Sequence, residues 1–94
     1  MQFFPFSRFT IHGNSMLPTL KPGQNVLIRC WFYQPKVGDI VVIKQNKRNI
    51  IKRIQKIQGY KYFVEGDNEK ESTDSRTFGP IFKQEIVGKV VYVR

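Results

Sequence analysis

The chain has 94 residues, of which 40% are hydrophobic and 14% aromatic, and its formal net charge is +9. This length suits one small domain over residues 1–94, and so high an apolar and aromatic content excludes intrinsic disorder. The sequence contains no apolar run near the roughly 20 residues of a membrane-spanning helix. With a single cysteine, Cys30, an internal disulfide is excluded.

The N-terminal segment is rich in phenylalanine, with four of them in the first nine residues, interrupted by Pro5 and Arg8. It is too short to cross a bilayer and lacks the layout of a signal peptide. These rings could cap the core or rest on a membrane surface or a partner. We therefore expect a cytoplasmic protein, with peripheral contact to a membrane left open as an alternative.

Short segments of β-branched and aromatic residues follow, separated by glycine and proline. A brief helical turn is predicted over 15–20, because Ser15 suits a helix N-cap. The later segments predict strands, and Gln58 and Gly59 predict a hairpin turn between the third and fourth. The predicted strands are 25–30, 39–44, 49–57, 60–65 and 86–93. The expected fold class is mostly β, in one compact domain of short strands.

The third predicted strand carries a lysine among isoleucines. Strand alternation places Ile50, Lys52 and Ile54 on one face. An ammonium group in such surroundings loses hydration, which favours the neutral amine and lowers the pKa of Lys52. Because a general base must be able to accept a proton, Lys52 is a candidate for that role.

A serine stands in a segment suited to presenting its hydroxyl. Gly13 and Asn14 precede Ser15, and Pro18 follows soon after. A small approach followed by a rigid turn can hold the hydroxyl outward, with backbone N–H groups beside it that could stabilise an oxyanion. Taken alone, a serine before a turn is usually a helix cap.

Three segments together resemble, in the same order, the conserved boxes of the serine–lysine signal peptidase family. That resemblance covers about residues 13–93 and implies a signal-peptidase or repressor-protease-like β domain with no metal and no cofactor. The segments are Ser15-Met16-Leu17-Pro18, then Lys52-Arg53, then Gly66-Asp67-Asn68 followed by Ser72, Asp74 and Arg76.

The resemblance implies a role for each matching residue. Ser15 would be the nucleophile, Lys52 its general base, and Ser72 would hydrogen-bond the lysine amine and orient it. Many bacterial relatives carry a serine of the oxyanion hole at the position of Gly13. Here the hole would rest on backbone N–H groups, chiefly that of Ser15, with help from Asn14.

The resemblance also implies two supporting ion pairs, Asp67 with Arg53 and Asp74 with Arg76. Two further departures from larger relatives are expected to matter. No membrane anchor precedes the serine box, and only 14 positions separate Lys52 from Gly66. The extra β domain found there in larger relatives would be missing, which leaves the catalytic core.

The substrate expected from this resemblance is a precursor protein with an N-terminal leader. An anchorless core ending its third box in Ser-Thr-Asp-Ser-Arg-Thr-Phe-Gly-Pro is similar to the nickel-type superoxide dismutase maturation branch. General processing of secreted preproteins is the alternative. A self-cleaving repressor is disfavoured, because 14 residues before Ser15 leave no room for a DNA-binding domain.

Two other features invite functional interpretation. The basic stretch from Lys44 to Lys61 would suit a nucleic-acid-binding β module, but that function leaves the Ser15 and Lys52 boxes unexplained, so nucleic acid is an unlikely partner. His12 lies three residues from Ser15, yet no third member of a triad is evident. Cys30 alternates with apolar neighbours and is expected to be a small core residue.

Overall fold

The computed structural model describes residues 5–71 and 73–94. Within them the chain forms one six-stranded sheet in the order β1-β2-β6-β3-β4-β5, with every neighbouring pair antiparallel. The predicted mostly β fold class is confirmed. The strands are β1 (Phe6–Thr10), β2 (Asn25–Arg29), β3 (Ile40–Gln45), β4 (Arg48–Gln58), β5 (Lys61–Glu65) and β6 (Ile86–Val93).

Helical structure is limited to single turns in the described residues. A short α-helix, α1 (Ser75–Phe78), packs against β5, and 3₁₀ turns occupy Glu69–Glu71 and Lys83–Glu85. The helical turn predicted over 15–20 is a series of turns, with the Leu20 N–H donating to the Met16 carbonyl at 2.9 Å. The α-helix, the two 3₁₀ turns and the turns over 15–20 all lie in connections between strands, so the sheet forms the framework of the fold.

All five predicted strands are present, and each boundary lies within one residue of its prediction. The predicted hairpin is also present, because Gln58 pairs with Lys61 and Gly59 takes a φ of 60° in the turn. That positive φ at the first turn position is one that glycine adopts without strain.

The sequence did not predict β1, which pairs with β2 along one edge of the sheet. Its Phe9 packs against the core, in agreement with the capping role, whereas Phe6 is 43% exposed. Phe3 and Phe4, to which the same expectation applied, lie outside the described residues.

Two apolar clusters cover the two faces of the sheet. Because side chains alternate along each strand, neighbouring residues belong to different clusters. On β4, Ile51 belongs to the first cluster and Ile54 to the second, while on β3 Val42 and Val41 divide in the same way. Lys52 therefore points to the face of the second cluster, as predicted. The first cluster contains Ile11, Met16, Leu20, Val26, Ile28, Val42 and Ile51, and the second contains Val41, Ile43, Ile54, Tyr62, Val64 and Ile81.

The β3–β4 hairpin closes through a turn that was not predicted from the sequence. Asn46 and Lys47 both have positive φ, 51° and 65°, between the paired residues Gln45 and Arg48. This is the pattern of a type I′ turn, which usually carries glycine at its second position. The turn brings the start of β4 beside the segment that carries Ser15.

Candidate active site

Ser15 and Lys52 line the same cavity, which has a volume of about 440 Å³. One wall is the segment that runs from β1 to Ser15, and the opposite wall is the β3–β4 hairpin and the first half of β4. Thr73, from the third box, and Phe78, from α1, also contribute. The remaining described lining residues are Phe9, His12, Gln45, Asn46, Arg48, Asn49, Ile50 and Ile51.

Lys52 is buried, with 4% of its surface exposed. Its neighbours on the strand face, Ile50 and Ile54, belong to or pack against the second apolar cluster. Loss of hydration is the main cause that lowers the pKa of Lys52; the nearby Asp74 carboxylate acts in the opposite direction, and Arg76 lowers the pKa further. The site therefore favours the neutral amine that proton abstraction requires.

The Ser15 segment combines buried anchors with an accessible serine. Met16 and Leu20 are each 1% exposed in the first apolar cluster, whereas Ser15 itself is half-buried at the cavity. Gly13 has a φ of 76°, and a Cβ built on it would meet no atom within 4 Å. A side chain at position 13 would therefore fit in space but strain the backbone.

The third box holds the serine segment through hydrogen bonds. The Asn68 N–H donates to the Ser15 carbonyl at 2.8 Å, and Asn68 Nδ2 donates to the Asn14 carbonyl at 3.0 Å. The Thr19 hydroxyl donates to Asp67 Oδ2 at 2.5 Å. Residues far apart in sequence are thus joined directly beside the serine.

Arg53 and Asp67 form a two-point ion pair. Arg53 Nε lies 2.9 Å from Asp67 Oδ1, its second terminal nitrogen lies 2.9 Å from Oδ2, and its first donates to the Gly38 carbonyl at 2.8 Å. The hydrogen bond from Arg53 is the largest cause that lowers the pKa of Asp67. This pair connects β4 to the box that contacts the serine segment.

Asp74 and Arg76 form a second ion pair around a fully buried carboxylate. Asp74 is 0% exposed, and it accepts from the Gly66 N–H at 2.9 Å, from the Arg76 N–H at 3.1 Å and from the Arg76 guanidinium at 2.6 Å. Its side chain is the N-cap of α1. Through these bonds Asp74 fixes the loop that follows β5, within electrostatic reach of Lys52.

The structure thus brings Ser15, Asn14, Lys52, Arg53, Asp67, Asp74 and Arg76 into one region. Ser72, the predicted lysine-orienting residue, lies outside the described residues. Sequence reasoning gave no role to Thr19 or Asn68, although Asn68 stands within the third box. It also gave no weight to the hairpin residues that line the cavity, because their proximity arises from the turn at Asn46 and Lys47.

His12 and Cys30, the two other residues considered for catalysis, lie in different surroundings. His12 is exposed and lines the cavity with Ser15. Cys30 packs against the first apolar cluster, as predicted, and burial raises the pKa of its thiol. Cys30 is half-buried, and a thiol whose pKa is raised forms the nucleophilic thiolate less readily, so Cys30 is a poorer candidate than Ser15.

A protein-family model described as Peptidase S24-like matches residues 7–91. The chain is also 32% identical to the mitochondrial ATP-independent inner membrane protease subunit 1b of Arabidopsis thaliana over 110 residues, which covers 86% of this chain and 65% of that protein. The match to signal peptidase I of Buchnera aphidicola is 32% identical over 88 residues and covers 80% of this chain and 28% of that protein.

Mitochondrial inner membrane protease subunit 2 of Schizosaccharomyces pombe is 27% identical over 111 residues, covering 89% of this chain and 62% of that protein. The chain therefore spans less than two thirds of the length of these three relatives. Among the described residues, no helix has both the length and the apolar character needed to span a membrane.

Proposed function

Since the chain belongs to the Peptidase S24-like family, we propose that it is a serine endopeptidase in which Ser15 is the nucleophile and Lys52 the general base. The observation that carries this proposal is that Ser15 and a buried lysine with a lowered pKa line one cavity. Ser72 would orient the lysine amine, and Arg53, Asp67, Asp74 and Arg76 would hold the surrounding loops.

The proposed reaction uses Lys52 as the base for Ser15 and for water. Neutral Lys52 takes the proton of Ser15 Oγ as that oxygen bonds to the peptide carbonyl carbon, and the oxyanion forms beside the Ser15 N–H. Protonated Lys52 then gives its proton to the leaving amine, which departs as the acyl-enzyme forms. Lys52 next activates a water molecule that attacks the ester and releases Ser15.

The cavity wall suits an extended peptide. β5 begins to pair with β4 at Arg53, so residues 48–51 pair with β3 alone among the described strands. Their other edge lies at the cavity that holds Ser15. A substrate chain could add to this edge through main-chain hydrogen bonds, which would place its scissile carbonyl between the two walls.

The proposed substrate is a precursor protein with an N-terminal leader. We favour the precursor of nickel-type superoxide dismutase, because the third box is similar to that of its maturation proteases. Processing of secreted preproteins is the second candidate, supported by relatives named as signal peptidase and inner membrane protease subunits.

We also propose that the protein works in the cytoplasm with peripheral contact to a membrane. Phe32 is 81% exposed and packs edge-on against Trp31, with ring centroids 6.2 Å apart. Aromatic side chains and a net charge of +9 both suit an anionic lipid surface. Co-sedimentation with anionic vesicles should decrease in Phe32→Ser; equal binding by that variant would contradict the role of this ring.

The test of the catalytic proposal is incubation with a nickel superoxide dismutase precursor and with a secretory preprotein, read by intact mass. Trimming of the first alone, lost in Ser15→Ala and in Lys52→Ala, is the expected result. Trimming of the second would assign the protein to general leader processing. If neither variant differs from the wild type on either precursor, the dyad is wrong.

A further inference from the structure

The side chain of Asn68 hydrogen-bonds to the peptide unit that joins Asn14 and Ser15. Its side-chain nitrogen donates to the Asn14 carbonyl at 3.0 Å, and the same carbonyl accepts the Leu17 N–H at 3.2 Å. Both acceptor directions of this oxygen are therefore used. One donor belongs to the local turn, while the other comes from a residue 54 positions away.

A peptide unit is planar, so a constraint on its carbonyl is also a constraint on its N–H. Every described peptide bond except Leu17–Pro18 is trans, and in a trans unit the C=O and N–H vectors point in opposite directions. The N–H in the same plane as the Asn14 carbonyl is that of Ser15. The direction of the Ser15 N–H is thus set by what binds the Asn14 oxygen.

We propose that Asn68 is a positioning residue for the oxyanion hole: by holding the Asn14 carbonyl, its side chain aims the Ser15 N–H at the developing oxyanion. This inference rests on the proposed function and deepens it. Because hydrogen bonds in series polarise one another, the bond to the Asn14 carbonyl also makes the Ser15 N–H a better donor.

The orientation of the Asn68 amide is determined by its surroundings. Nδ2 also donates to Glu71 Oε2 at 3.1 Å, so both of its hydrogens point to acceptor oxygens. The main chain of Asn68 makes a separate bond, from its N–H to the Ser15 carbonyl at 2.8 Å. This second bond does not depend on the side chain, so a variant at position 68 can loosen the peptide unit before Ser15 while the segment stays attached.

The experiment compares Asn68→Ala and Asn68→Asp with Glu71→Gln. Glu71→Gln alters the other partner of the Asn68 amide and leaves the bond to Asn14 in place, so it is the matched control. Removal of a whole oxyanion-hole donor costs about 10²–10³ in kcat, and misdirecting one should cost about 10–100-fold. We expect that loss in both Asn68 variants, with KM changed less than about threefold and an unchanged pH profile.

A peptide boronate or aldehyde should lose affinity in parallel with kcat, because it presents the oxyanion geometry. A rise in KM with kcat retained, or equal losses in Glu71→Gln and Asn68→Ala, would overturn the proposal. The amide proton shift of Ser15 in the free protein, without substrate, separates this inference from the catalytic one. We expect this shift to move in Asn68→Ala and to stay constant in Glu71→Gln. If the shift is the same in both variants, the positioning role of Asn68 is overturned even if the wild type cleaves its substrate.

Discussion

The two residues of the proposed dyad are held in place by different interactions. Lys52 lies on a strand in the interior, among apolar side chains that exclude water. Ser15 lies on a connecting segment that is half-buried and attached to the third box by hydrogen bonds from Asn68. Burial thus sets the environment of Lys52, and directional polar contacts set that of Ser15, so the two residues should respond differently to substitution.

The largest expected effect comes from Lys52→Met, which keeps the apolar stem and removes the amine. Activity should fall by about 10⁶-fold, as it does when the catalytic base is removed from a serine protease with a triad. Stability at neutral pH should be retained or increased, because a desolvated amine no longer has to be buried. Precursor cleavage and thermal unfolding of the same sample measure both effects.

The pH dependence of this variant provides a second readout. In the wild type the pKa of Lys52 is lowered on folding, so between that value and about 10.4 the unfolded chain binds more protons. The free energy of unfolding should therefore rise with pH across this window. Below the window, the full cost of burying the charged Lys52 amine should persist. The difference between wild type and Lys52→Met should shrink at high pH; a constant difference would show that burial does not lower the pKa of Lys52.

The second-largest effect is expected for Asp74, which lies within electrostatic reach of Lys52. Asp74→Ala removes the buried acceptor of the Gly66 N–H and the N-cap of α1. We expect a loss of about 3 kcal/mol in the free energy of unfolding, measured by urea denaturation. Because the Asp74 charge raises the pKa of Lys52, activity that remains should have its ascending pH limb at lower pH than in the wild type. An unshifted limb would contradict the coupling.

Asp67→Ala is the matched substitution next to the serine segment, because Asp67 accepts a hydrogen bond from Thr19. Its effect on stability should be smaller than that of Asp74→Ala. The Asp67 carboxylate is partly accessible, so the loss should be about 1–2 kcal/mol. The pKa of Asp67 is lowered by Arg53, so this contribution should disappear as the pH falls through that pKa. In contrast to Asp74→Ala, the pH profile of cleavage should be unchanged while kcat falls, since the Thr19 contact to the serine segment is lost.

The sequence predicted the surroundings of Lys52, the proposed base, more completely than those of Ser15, the proposed nucleophile, for the same physical reason. Alternation along β4 fixes the face of Lys52, so its burial follows from Ile50 and Ile54. The contacts of Ser15 depend instead on Asn68 and Thr19, whose partners lie far along the chain and follow no periodic pattern. β1 was missed because Arg8 interrupts its apolar pattern, and the edge position tolerates that interruption.

The β3–β4 turn shows the same limit. Asn46 and Lys47 adopt positive φ without a glycine, so local turn signals were too weak to reveal the hairpin. The cavity wall formed by Arg48 and Asn49 was therefore not predictable. By contrast, the ion pairs of Arg53 and Arg76 were expected from the family resemblance, and the structure contains both.

The smallest effect expected is that of Gly13→Ala, which tests the backbone of the serine segment without touching a hydrogen bond. A Cβ at position 13 meets no atom within 4 Å, so any cost arises from the φ of 76°. We expect a loss of about 1 kcal/mol in the free energy of unfolding, seen as a lower urea midpoint. Gly59→Ala is the control, because Gly59 has a φ of 60° with equally open space but lies in the turn between β4 and β5. If the serine segment is held by its polar contacts, both variants should lose similar stability, whereas Gly13→Ala alone should lower kcat. Equal kcat in the two variants would show that Ser15 tolerates changes in the backbone that precedes it. The positioning of Ser15 would then differ less from that of Lys52 than the hydrogen bonds of the serine segment indicate.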